Sequence, residues 1–153
     1  MRRAGARLTA LLVAAAAIAA EPAIEVNDPW ISEAPPGTGV AAAYLEIRNG
    51  GETPATLIGA SSPRFDRVEM HESGIRDGMA SMRRLEQVEI PPQGRVAFAP
   101  GGGHFMLFGK PPLPRAGEDV PLALQFADGT VVELSIPVRR GKPDDHAREG
   151  PAE

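Results

Sequence analysis

The chain has 153 residues, 42% hydrophobic and 24% charged, enough apolar sequence for one cored domain and too much for a disordered tail. It contains 17 Gly and 16 Pro with no collagen-like period, which favours short strands and tight turns over a helical bundle. With no cysteine, disulfides, thiolate metal sites and cysteine nucleophiles are excluded; a net charge of −4 excludes a basic surface for nucleic acid.

Residues 1–19 read as a secretory signal. Arg2, Arg3 and Arg7 form a positive start, Leu8 to Ala19 is almost unbroken apolar sequence, and Ala17-Ile18-Ala19 has the small-x-small pattern of a cleavage site. That run is shorter than the roughly 20 residues that span a bilayer as a helix, so no membrane span is expected after cleavage near Ala19. Cleavage takes three of the 16 basic residues and none of the 20 acidic ones. The mature chain is therefore expected to be exported and acidic.

Candidate strands follow in chain order: Ala23–Asn27, Val40–Asn49, Ala55–Ala60, Arg67–Glu72, Met82–Leu85, Arg95–Ala99, His104–Phe108, Val120–Phe126 and Thr130–Val138. Turn chemistry separates them at Asn49-Gly50-Gly51, Ser73-Gly74, Asp77-Gly78, Pro91-Pro92, Pro100-Gly101-Gly102-Gly103 and Asp128-Gly129. Asp128-Gly129, between two alternating runs, is the strongest hairpin signal. Ser73 to Ser81, with Gly74 and Gly78, reads as a loop. Many short strands without a helical period predict an all-β antiparallel sandwich over residues 20–139. The charged segment 140–153 is expected to be a flexible tail.

The residues with distinctive chemistry are few. Past the signal there are three His (71, 104, 146) and four Met (70, 79, 82, 106). Two of each fall in one pattern, His71-x10-Met82-x21-His104-x-Met106. His104 and Met106 are two apart on a strand, so both leave one face, while Phe105 and Leu107 point to the other. Met70 and His71 are adjacent, so one of them faces the core; Met70 is assigned there and His71 to the site. Two imidazoles with two thioethers form a soft, uncharged donor set that suits Cu(I) better than zinc, magnesium or calcium. A cysteine-free copper site also fits an oxidising compartment.

This spacing resembles the signature of the PCuAC family of periplasmic copper chaperones. Met70-His71-Glu72, Asp77-Gly78-Met79, Pro100 to Met106 and the Gly39 to Tyr44 strand are also similar to that family's local sequences. The resemblance covers roughly Trp30 to Pro137. It implies a cupredoxin-like Greek-key sandwich and a periplasmic location. It also implies one Cu(I) held by His71, Met82, His104 and Met106, and no enzymatic activity. The implied receivers are cytochrome c oxidase subunit II, at its copper A centre, or a thiol copper chaperone of the Sco type. Some relatives carry a His- and Met-rich C-terminal extension; here the tail offers only His146 between Asp145 and Ala147.

Two other classes stand beside this reading. One is a secreted zinc or copper enzyme using His71 and His104 with Glu69 or Glu72; a hydrolase of that kind needs an open metal position with bound water. The other is a metal-free secreted sandwich that binds proteins. Met79 is expected to be a loop hydrophobe or a spare thioether, and Trp30 and Tyr44 to pack in the core or over the site's rim.

Overall fold

Alternation of apolar and polar side chains governs the architecture. The structure, a computed structural model, describes residues 23–141. The segment expected to be a signal, residues 1–19, and residues 142–153 of the expected tail lie outside the described residues. Ten strands succeed one another: β1 (Ile24–Ser32), β2 (Val40–Asn49), β3 (Ala55–Ser61), β4 (Arg67–Arg76), β5 (Met79–Leu85), β6 (Val88–Ile90), β7 (Arg95–Phe98), β8 (Gly103–Phe108), β9 (Asp119–Phe126) and β10 (Val131–Arg139). They hydrogen-bond in the order β5-β4-β8-β7-β2-β1-β10-β9-β3-β6, with β8 also pairing β2. The ribbon folds over at the β1–β10 junction. One layer is β5-β4-β8/β7-β2-β1 and the other β10-β9-β3-β6.

The layers meet through their inward faces. In β2, Ala41, Ala43, Leu45 and Ile47 are buried and the residues between them face outward. Phe98, Phe105 and Leu107 add to the same layer, and the phenyl rings of Phe98 and Phe105 pack at 4.5 Å. The opposing layer supplies Leu57, Val120, Leu122, Leu124, Phe126, Ile136 and Val138. Met70 is 3% exposed and belongs to this core, as its place beside His71 predicts.

The architecture is the expected all-β sandwich, but it is not wholly antiparallel. β1 and β10 run parallel where Ile31 and Ser32 meet Val138 and Arg139, and β7 meets β8 parallel at Phe98 and Gly103. The second case has a simple origin. β7 and β8 both pair antiparallel with β2, β7 with residues 45–48 and β8 with residues 40–43. They are one strand path interrupted by an excursion at residues 99–102.

Other differences have local causes. β1 continues past Asn27 to Ser32 through a bulge between Asn27 and Trp30, where Asp28 takes φ 44° and Pro29 offers no N–H. β6 is only three residues long and pairs with β3 alone, too short to leave a periodic signal. Residues 73–81 do not form a loop: β4 and β5 pair continuously from Met70–Leu85 to Arg76–Met79. Asp77 and Gly78 close this hairpin with φ of 54° and 77°, the pattern of a type I′ turn. Gly74 pairs with Ser81 inside the ladder without a positive φ, so it does not break the strand. At Asp128-Gly129 the expected hairpin forms between β9 and β10.

One buried polar side chain ties the sandwich end together. Asn49, 2% exposed, donates its amide to the carbonyls of Thr53 (2.8 Å) and Ile90 (3.2 Å) and accepts from the Gly51 N–H (2.9 Å). Truncation strands these partners, at a cost of about 2 kcal/mol. Asn49→Ala should therefore lower the urea midpoint with an unchanged m-value.

Glu118 caps the approach to β9. The Arg115 backbone N–H (2.6 Å), then Arg64, hold its carboxyl below the ordinary carboxylate value. A depressed folded value stabilises above the unfolded value and loses that contribution as pH falls through the folded one. Glu118→Gln should therefore flatten the acid limb of the stability–pH curve below about pH 4.5, the ordinary range for Glu. Thermal unfolding between pH 3 and 7 measures this.

Candidate metal centre

The outer face of the first layer is built by three pairings. In β4–β8, Glu69 lies opposite Met106 and His71 opposite His104. In β4–β5, His71 lies opposite Arg84 and Ser73 opposite Met82. In β2–β8, Met106 lies opposite Ala42. Because side chains alternate across a strand, Glu69, His71, Ser73, Met82, Arg84, His104 and Met106 share one face, away from the core.

All four residues singled out by spacing therefore occupy this face. The rings of His71 and His104 are 6.0 Å apart between centroids, tilted by 32°. His104 is 7% exposed, while the side chain of His71 is 14% exposed. Met106 is partly buried beside them, and Met82 stands 55% exposed on the outermost strand. A depression of about 360 Å³ opens over His104, Met106, Met82, Ser73 and Tyr44, rimmed by Gly101. Trp30 stacks on Tyr44 at 4.8 Å, which places this aromatic pair on the site's face and not in the core. Met79 is 70% exposed beside the hairpin turn, opposite Arg76, on the other face from Met82.

The two imidazoles are held from different sides. Nε2 of His71 is 2.8 Å from Oε2 of Glu69, and Nδ1 of His104 is 3.1 Å from the Gly102 carbonyl. Carbonyl and ionised carboxylate accept only, so these two ring nitrogens carry the protons. Glu69 is held ionised. The hydrogen bond from His71, joined by that from Arg67 and by the charges of Arg84 and Arg67, keeps its carboxyl below the usual value despite the opposing effect of burial. Arg67 contacts Glu69 at 2.8 Å and Arg84 at 3.5 Å.

The other nitrogen of His71, Nδ1, is buried and has no hydrogen-bond partner. A buried, unpaired polar atom is costly, and its presence points to a partner that binds there. The glycine-rich excursion explains the placement of His104. Gly101 takes φ 82°, and the Gly102 carbonyl accepts both from His104 and from the Ser73 N–H (3.0 Å), stitching the excursion to β4.

Chemically, the face offers two imidazoles and two thioethers. An ion about 2 Å from a ring nitrogen lies roughly 3 Å from that ring's centroid. Centroids 6.0 Å apart are thus close enough for one shared ion. Glu69 is engaged by His71, Arg67 and Arg84, and Glu72 pairs with Arg83 at 2.7 Å. Among the described residues no group of three or more His, Cys, Asp or Glu is arranged around a common metal position. The residues missed in sequence are Glu69 as an imidazole partner and Gly102 as a carbonyl acceptor. The i, i+2 spacing of Glu69 and His71 on one strand face was a usable signal for the first.

Fold and face together define a class: the structure is that of a PCuAC domain. It resembles the copper-bound PCuAC domain from PmoF2 with a TM-score of 0.67 and 26% identity, over 80% of this chain and 97% of that one. It also resembles Cu(I)-bound DR1885 from Deinococcus radiodurans, with a TM-score of 0.63 and 27% identity, over 80% and 81% of the two chains. The LpqE-like family, described as lipoprotein-like, matches residues 24–138. A protein of Leifsonia xyli subsp. xyli, named "Putative lipoprotein Lxx21020", is 32% identical over 118 residues, covering 76% of this chain and 69% of that protein. The chain belongs to this LpqE-like, PCuAC-type family. The 153 residues contain no cysteine, so the acylated residue of a lipoprotein is absent from them.

The hairpin that carries Met82 depends on its turn. Gly78, at φ 77°, has open space around a would-be Cβ, so alanine there adds backbone strain without a clash. Gly78→Ala should weaken the hairpin by about 1 kcal/mol. Hydrogen exchange should speed up at the β5 amides while the amides of β2 and β9 keep their protection.

Proposed function

We propose that this protein is a copper chaperone of the periplasm that binds one Cu(I) through His71, Met82, His104 and Met106 and delivers it by ligand exchange. The observation that carries the reading is the unpaired, buried Nδ1 of His71 beside His104, with two thioethers on the same face. Soft, neutral donors favour Cu(I), whose charge they leave undiminished but whose lone-pair demand they meet. The copper-bound relatives support the same metal.

The graded exposure of the donors suits transfer. His104 and Met106 sit on β8 in the interior of the layer, whereas Met82 lies on the edge strand and is 55% exposed. An incoming ligand approaches on the Met82 side, adds to the copper, and displaces Met82 first while the imidazoles still hold it. Release is then a sequence of exchanges, with no bare ion set free. The receivers implied by the family resemblance are cytochrome c oxidase subunit II and a thiol chaperone of the Sco type. Export follows from the signal-like residues 1–19, and no helix among the described residues is long and apolar enough to cross a membrane.

Competitive titration under reducing conditions tests the reading. The protein should bind Cu(I) one to one and take up little Zn(II); zinc that displaces stoichiometric Cu(I) would refute a chaperone site. Met106→Leu keeps hydrophobic volume but removes a donor. It should leave the far-UV spectrum unchanged and weaken Cu(I) binding by roughly tenfold or more, about 1.4 kcal/mol per decade. An unchanged affinity would remove Met106 from the ligand set.

A further inference from the structure

We infer that Glu69 is a positioning residue that fixes which nitrogen of His71 meets the metal, so that copper is held by Nδ1 of His71 and Nε2 of His104. This deepens the copper reading above and rests on it. The argument starts from proton accounting. Glu69 Oε2 lies 2.8 Å from His71 Nε2, and an ionised carboxylate can only accept, so Nε2 carries the proton. Nδ1 then keeps its lone pair, and it is the one buried side-chain nitrogen or oxygen among the described residues with no partner. His104 is arranged the opposite way: its Nδ1–H donates to the Gly102 carbonyl at 3.1 Å, leaving the Nε2 lone pair free. The rings face one another across a single register pair, with centroids 6.0 Å apart.

Glu69 is well placed for this task because it is itself anchored. It lies opposite Met106 in the β4–β8 ladder and two residues from His71, on the same face. Arg67 holds its Oε1 at 2.8 Å and Arg84, from β5, approaches the same oxygen at 3.5 Å. Oε2 is thereby left for the imidazole. Arg84 stands two residues from Met82, so the carboxylate ties the β4 strand of His71 to the β5 strand of Met82. A carboxylate behind a ligating imidazole orients the ring, selects its tautomer and raises its basicity, and losing such a partner typically costs 10- to 100-fold in metal affinity.

Three forms of the full exported chain distinguish this role from a merely structural one: wild type, Glu69→Ala and Glu69→Gln. Long-range proton–nitrogen correlation spectra of the metal-free proteins read the imidazole tautomers, and the same spectra after Cu(I) addition read which nitrogen is ligated. In the wild type His71 should be protonated at Nε2, and Cu(I) should shift its Nδ1 and the Nε2 of His104. Glu69→Ala should mix the His71 tautomers, leave His104 unchanged, and weaken Cu(I) binding by about 10- to 100-fold. Glu69→Gln, whose amide oxygen can still accept from Nε2–H, should restore the tautomer and part of the affinity. Cu(I) binding to the wild type through Nε2 of His71, or a Glu69→Ala protein with wild-type tautomer and affinity, overturns the inference while the copper reading stands. A wild type that takes up no Cu(I) overturns both.

Discussion

The pairing of β4 with β8 is the contact on which core and site both depend. Its register sets Met70 beside Phe105 in the core and His71 beside His104 on the outer face. Core and site are thus two sides of the same ladder. A slip by one residue would drive His71 and Glu69 inward and turn Met70 out, exchanging a buried thioether for a charged carboxylate in an apolar layer. The hydrophobic demand of Met70, Phe105 and Leu107 therefore fixes the imidazole pair as firmly as it fixes the core. The face needs no helix or disulfide to organise it.

The glycine-rich excursion at residues 99–102 is the second device. Without it, β7 and β8 would run as one strand along β2, and His104 would have no carbonyl behind it. By looping out, the chain returns with the Gly102 oxygen between the Ser73 N–H and the His104 ring. A backbone atom so shared gives the imidazole a fixed proton without spending a side chain. His71 is fixed by a side chain, Glu69, because β4 is regular there and its backbone polar groups are used in pairing β5 and β8.

Much of this was legible in the sequence. The period-2 runs at 40–49 and 120–126 read directly as strands, and His104-x-Met106 read as two residues of one face. The place of Met70 followed from its neighbour. Less legible were features that depend on partners distant in the chain. β6 takes its sheet pairing from β3, and the parallel contact of β1 with β10 arises where two layers meet. The β4–β5 hairpin was hidden because Gly74 and Gly78 look alike in sequence, although only Gly78 takes a positive φ. The link between Glu69 and His71 was hidden by a different limit: spacing shows that two residues share a face, but not which atom of a ring turns toward its neighbour.

The uneven exposure of the two thioethers has a chemical consequence of its own. Oxidants convert methionine to its sulfoxide, a polar group that no longer offers a soft sulfur lone pair, and accessible sulfurs react first. Met82, 55% exposed on the outermost strand, is open to this reaction, whereas Met106 is partly sheltered inside the layer. Oxidative damage would thus remove one donor from the rim of the face and spare the donors beneath it. Because the change at sulfur is reversible by sulfoxide reductases, the same strand edge that would admit an incoming ligand in the proposed transfer also opens the face to repair.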